Sequence, residues 1–213
     1  MLYEGKYFLF DFKDSDRKFA EVVISTAEAA FKNTSSLFRI PEPNELFLFK
    51  ICSTIEDFIS ASGKTVEAYQ PWMVGHADYN KRFVCLLSPS VASDLSFSDI
   101  LKIVKHEVAH IVFDQLGDPD DAPIGISEGI AVYIAEQIDK KLLDTNDPPS
   151  MVKLNEEAYF YENSGYDYSG VYVRFFIEKF GIEAFKNIYT AKTRLEDYLY
   201  QGFEKEAVKA VLK

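Results

Sequence analysis

Lys105-His106-Glu107-Val108-Ala109-His110-Ile111 lies inside an apolar run whose spacing predicts a helix from Ser96 or Ser98 to about Leu116. Residues four apart share a helix face. His106 and His110 can therefore turn two imidazoles toward one metal ion. Glu107 sits one step round, where a carboxylate can reach a water beside that ion. A His-Glu-x-x-His pair on a helix is a zinc-holding pattern with the glutamate as general base. The chain has three histidines, and two of them stand in this stretch.

The stretch also divides the chain. Before it, strand-like and helical runs alternate. Tyr7–Phe12 and Leu46–Ile51 read as strands, with a helix from about Ser15 to Phe38 between them that stops before Pro41 and Pro43. Ser53-Thr54-Ile55-Glu56 reads as a capping box opening a short helix that Gly63 ends. Trp72–Ala77 and Arg82–Leu87 read as a hairpin. The first of that pair carries a Gly and alternates weakly, as edge strands do, and Trp72 and Met73 are expected in the core. After the motif everything reads as helix: Ile126 to about Asp139, Tyr166–Phe180 closed by Gly181, Ile182–Ala191 and Leu195–Lys213. Strands confined to the first half predict an α+β fold and not a doubly wound sheet. The expected subdomains are 1–117, carrying the motif helix, and 118–213, helical.

Composition narrows the function. At 213 residues with 47% apolar content the chain can bury a sizeable core. A formal charge of -11 argues against nucleic acid and anionic membrane as partners. Cys52 and Cys85 sit in apolar strand-like runs and read as buried free thiols. The start, Met1–Lys6, lacks the features of a secretory signal, and no apolar run reaches the roughly 20 residues that span a bilayer. The chain as given reads as soluble and cytoplasmic.

Catalytic zinc usually takes three protein ligands and keeps one position open. The candidates for the third are Glu128, His76, Asp114 and the cluster Asp118 to Asp121. Asp114 is one turn beyond His110 and would crowd the same face, so a supporting role suits it better. The acidic loop Asp118–Pro123 lacks the ligand spacing of a calcium-binding loop and reads as solvated. Glu128 lies in a separate apolar run, which the segment 111–127 can fold antiparallel to the motif helix. A carboxylate in the apolar run Ile124–Ile134 is costly to bury unless something pairs with it, and metal ligation would supply that.

His106-Glu107-Val108-Ala109-His110 followed by Ser127-Glu128-Gly129-Ile130-Ala131-Val132-Tyr133 resembles the gluzincin metallopeptidases. The Glu-Gly-x-Ala-x-Tyr form is similar to the peptidase MA-like and minigluzincin branch. The run Tyr166–Phe176, ending at Phe180-Gly181, and the strand pair Trp72–Leu87 resemble the elements flanking the site in those families. The resemblance spans about residues 45–190. It implies a zincin-like fold: a small mixed sheet with helices, then a helical subdomain, with an active-site cleft between them. It implies one zinc per chain on His106, His110 and Glu128, and Glu107 as general base. It implies a strand near Gly75 and His76 that pairs with extended peptide, and an oxyanion-steadying tyrosine at Tyr166, with Tyr168 the neighbouring candidate. Gly125 and Ile126 stand where the family often carries Trp. Val132 stands where thermolysin-like members carry an acid. A Gly-rich run that reads a free amino terminus is missing, which points to an endopeptidase acting on peptide or protein. A zinc-binding module of the same architecture, catalytically silent, is the alternative; intact Glu107 favours the enzyme. The weakest reading is a helical interaction protein without metal.

Overall fold

The computed structural model describes residues 1–92, 94–118 and 121–213. The chain divides into two compact units, Met1–Gln115 and Leu116–Lys213. The fold is mixed α and β, and all strands of the described residues lie between Leu2 and Leu87. Among the described residues, no helix is long and apolar enough to cross a membrane.

The N-terminal unit is built on a five-stranded mixed sheet. Its strands are β1 (Leu2–Glu4), β2 (Phe8–Asp11), β3 (Phe47–Cys52), β4 (Gly75–Asp78) and β5 (Phe83–Leu87), in the order β1-β2-β3-β5-β4. β2, β3 and β5 run parallel, and β1 and β4 are antiparallel additions at the two ends. The parallel pair β2–β3 needs a crossover, which helix α1 (Arg17–Phe38) supplies. Phe31 of α1 meets Phe8 edge-on at 5.7 Å and Phe47 at 6.2 Å, so α1 covers one face of the sheet. Helix α3 (Phe97–Phe113) lies beside it. Phe19 meets Phe97 and Phe38 meets Phe113, near-start to near-start and end to end, so the two helices run in the same direction.

The opposite face is covered by helix α2 (Ile55–Ser62), whose Phe58 is buried with Cys52, Cys85 and Leu87. Both cysteines are buried free thiols, as expected. The cap of α2 is Thr54, whose side chain accepts the Asp57 N–H; Ser53 instead donates to Asp16 at 2.9 Å. Ser88 donates to the other Asp16 oxygen at 2.6 Å. A buried carboxylate thus ties the start of α1 to the ends of β3 and β5. Trp72 is not in the core. It is 57% exposed, on a turn closed by Met73 N–H to the Gln70 carbonyl, and β4 begins only at Gly75.

The C-terminal unit is helical: α4 (Ile124–Ala135), α5 (Glu157–Glu162), α6 (Gly165–Phe180), α7 (Ile182–Tyr189) and α8 (Phe203–Leu212). α4 starts just after Pro123 and ends at Glu136 in a left-handed conformation, so it begins and ends earlier than the periodicity predicts. Its apolar residues are buried on most sides, and α6 is its main neighbour. A Cβ on Gly129 would stand 2.7 Å from the Ser169 carbonyl oxygen, and one on Gly170 2.6 Å from Val132 Cγ1. The two helices approach this closely only because each presents a glycine to the other. Phe203 of α8 closes the unit against Phe175 and Tyr172.

Candidate metal centre

Helix α3 is capped by Ser96, whose hydroxyl accepts the Asp99 N–H, and runs unbroken to Phe113 before a tighter turn over Asp114–Leu116. Ile100, Val104, Val108, Ile111 and Val112 bury its apolar side. That fixes the rotation of the helix and with it the direction of the motif residues. The rings of His106 and His110 are 4.8 Å apart at an angle of 71°, and their Nε2 atoms converge to 3.1 Å. Two nitrogens bound at about 2.05 Å to one tetrahedral ion stand roughly 3.3 Å apart. The imidazole pair fits that spacing without rearrangement.

Glu107 points about 100° away from His106 around the helix. It is 9% exposed. Its carboxylate lies over Gly75: a Cβ there would be 2.5 Å from Glu107 Oε1, 2.9 Å from its Cγ and 2.7 Å from Ile103 Cγ2. Glycine at 75 is what lets α3 approach the edge strand here. Strand residues alternate between faces, so Gly75 and Ala77 face α3 while His76 and Asp78 face α2. His76 accordingly sits with Lys64, Asp78 and Lys81. Burial holds its imidazole below the ordinary value and the Lys64 charge pushes the same way.

β4 ends the sheet, and among the described residues no strand pairs with its other edge. In an antiparallel ladder, residues alternate between bonding inward and presenting both backbone groups outward. Val74 accepts from Leu87 N–H across the β4–β5 ladder. His76 and Asp78 therefore bond toward β5, and Gly75 and Ala77 turn their N–H and C=O to the open edge.

In the C-terminal unit, Glu128 is half-buried on α4. Near it stands a residue the sequence reading passed over, Tyr161 of α5. Burial raises its phenol above the ordinary value, the Glu128 carboxylate adds to the rise, and a hydrogen bond with Tyr166 opposes it. The Tyr161 and Tyr166 rings are 6.3 Å apart. No periodicity links the two, because α5 and α6 are separate helices; only the aromatic run Tyr159-Phe160-Tyr161 hints at it. Tyr168 is placed differently. Two helical steps put it about 200° round from Tyr166, where it is buried against Tyr172 and its oxygen accepts the Asp144 N–H at 2.6 Å. Tyr166 is thus the tyrosine of α6 on the Glu128 side.

His106, His110 and Glu128 form the one group of three or more His, Cys, Asp or Glu side chains among the described residues that could hold a metal ion, their ligand atoms all within 4.8 Å of one another. Two imidazoles and a carboxylate are donors of the kind that bind first-row divalent metal ions. Of the other third-ligand candidates, His76, Asp114, Asp118 and Asp121 are not in this group. Asp114 is buried at the end of α3. Pro119 and Asp120, in the acidic loop considered for calcium, lie outside the described residues. No protein family, no curated protein and no solved structure matches this chain.

Proposed function

We propose that this chain is a zinc-dependent metallopeptidase of gluzincin type with a zincin-like fold, hydrolysing peptide bonds within unstructured polypeptide. The observation that carries this is the grouping of His106, His110 and Glu128 with a buried Glu107 carboxylate held against an edge strand. A merely structural metal site needs the ligands but not that acid.

His106, His110 and Glu128 would hold the ion. Zinc bound there supplies Lewis acidity, acidifying water to a pKa near 7 and polarising a carbonyl. Glu107 takes the proton of the attacking water as its oxygen bonds to the carbonyl carbon. The C–N bond then breaks, and Glu107 delivers that proton to the departing nitrogen. Gly75 and Ala77 offer backbone groups to an extended substrate, giving affinity with little sequence demand. A phenol from Tyr166 or Tyr161 donates a hydrogen bond to the tetrahedral oxyanion, an interaction worth about 3 kcal/mol in the transition state.

The test is metal content by mass spectrometry together with cleavage of casein. Wild type should carry about one zinc per chain and cleave. Glu107→Gln should keep the zinc and lose cleavage. A wild type that stays metal-free in added zinc at neutral pH overturns the proposal. Zinc retained by a wild type that leaves casein intact converts it to a silent binding module.

A further inference from the structure

We propose that Tyr161 is a positioning residue for the third metal ligand: its phenol O–H holds the Glu128 carboxylate in its ligating orientation, and Phe160 and Tyr166 hold Tyr161. This rests on the metal centre of the proposed function, though not on peptide hydrolysis.

Glu128 is the ligand that most needs such support. His106 and His110 lie one turn apart on a single helix, and their Nε2 atoms already converge. Glu128 comes from α4, with three side-chain torsions between its backbone and its carboxyl group. The backbone of α4 is fixed, since Gly129 is pressed against the Ser169 carbonyl of α6. What is left to set is the side chain. A carboxylate that gives one oxygen to a metal keeps the other as an acceptor, and a hydrogen bond there sets its direction.

Two observations bring Tyr161 to that carboxylate. Gly125 and Glu128, three apart on α4, share a face. The Gly125 N–H donates to Asn155 Oδ1 at 3.2 Å, and a Cβ at 125 would stand 3.1 Å from the Leu154 carbonyl oxygen. That face of α4 therefore packs on the turn Lys153–Asn155, which leads into α5 at Glu157. On α5, burial raises the Tyr161 phenol above its ordinary value and the Glu128 carboxylate raises it further, as a negative charge close by does. A phenol carries its proton at neutral pH and can donate it in a hydrogen bond.

The ring of Tyr161 is held from behind. Phe160, fully buried, meets Tyr161 edge-on at 5.5 Å and Tyr166 at 4.9 Å. A hydrogen bond joins the two phenols. Gly165 lets the start of α6 lie directly on α5: a Cβ there would stand 2.5 Å from the Phe160 ring. Tyr166 thus acts on Glu128 through Tyr161.

The test measures zinc affinity by competition with a chromophoric chelator, and the visible absorption of the cobalt(II)-loaded protein. Wild type, Tyr161→Phe, Tyr166→Phe and Tyr172→Phe are compared. Tyr161→Phe should weaken zinc binding about tenfold to a hundredfold and shift the cobalt bands, with the urea midpoint of the metal-free protein unchanged. Tyr166→Phe should do the same to a smaller extent. Tyr172→Phe removes a phenol hydrogen bond elsewhere on α6, to the Pro149 carbonyl; it should lower the urea midpoint and leave zinc affinity and cobalt spectrum alone. Wild-type zinc affinity and spectrum in Tyr161→Phe overturn the inference and leave the metal centre standing. Equal losses in Tyr161→Phe and Tyr172→Phe, or a larger loss in Tyr166→Phe than in Tyr161→Phe, also overturn it. A wild type that binds no zinc overturns the metal centre and the inference together. The expected losses in a protein that leaves casein intact support the inference and remove the peptidase reading.

Discussion

Replacing Gly75 by alanine adds one methyl group where the structure has no room for it. The new Cβ would stand 2.5 Å from Glu107 Oε1, 2.7 Å from Ile103 Cγ2 and 2.9 Å from Glu107 Cγ. Restoring ordinary contact at the first requires the carboxylate to retreat by about 0.9 Å. A rotation of its terminal torsion alone does not suffice, because Glu107 Cγ and Ile103 are also too close. Either α3 or the edge strand must shift. Overpacking of this kind costs about 1–3 kcal/mol of stability. Misplacing a catalytic group by about 1 Å costs on the order of 100-fold in rate. Gly75→Ala should therefore lower the urea midpoint modestly and reduce casein cleavage by about two orders of magnitude, while zinc content stays at the wild-type level, since the three atoms nearest the new methyl belong to Glu107 and Ile103 and to neither histidine. A variant with wild-type cleavage and an unchanged midpoint would refute the placement of Glu107 against β4. Loss of zinc in parallel with activity would refute the separation of the carboxylate from the ligand pair.

Gly129→Ala places a Cβ 2.7 Å from a backbone oxygen of α6, which cannot swing aside; equilibrium unfolding should show about 1–3 kcal/mol lost. Ser88→Ala removes a 2.6 Å hydrogen bond to the buried Asp16 carboxylate, and the same measurement should show about 1.5–3 kcal/mol lost. His76 has a depressed pKa in the fold, so the unfolded chain takes up its proton first as pH falls. Its contribution is complete above its unfolded value of about 6.5 and is lost as pH drops from there toward the folded value. Its ring protons should titrate below that value by NMR, and His76→Gln should flatten the stability profile on the acid side of neutrality.

The elements legible in the sequence are those whose period is long and whose ends are marked. α1 and α6 carry helical spacing over many residues, and α6 stops at Gly181, which takes a positive φ of 89°. β2 and β3 announce themselves by alternating phenylalanines. β1 was not legible: it is three exposed residues held only by pairing to β2. Trp72 misleads because an apolar residue beside a strand resembles its continuation. Pro71 and the Gln70–Met73 hydrogen bond turn the chain there instead. Within the site, Glu107 and the histidines were legible because one helix carries all three. Tyr161 was not, since its relation to Glu128 is made between two separate helices, α4 and α5.

The strand Gly75-His76-Ala77-Asp78 is the least strand-like segment of the sheet by composition, since Gly, Ala and Asp are all depleted in strands. Its pairing comes from Phe83–Leu87, which is β-prone and mostly buried. The sequence of β4 answers a different demand. On the α3 side it places only Gly75 and Ala77, the two smallest side chains available, and the bare Cα stands under Glu107. On the other side it places His76 and Asp78, whose neighbours are charged. A valine at 75 or 77 would improve the strand and push α3 away from it. A short edge strand that gives up propensity on one face, and there admits a buried carboxylate, is the kind of local inconsistency that marks a functional site. By that argument the weak alternation of β4 is itself a signal: it locates the place on the sheet where a helix must come close.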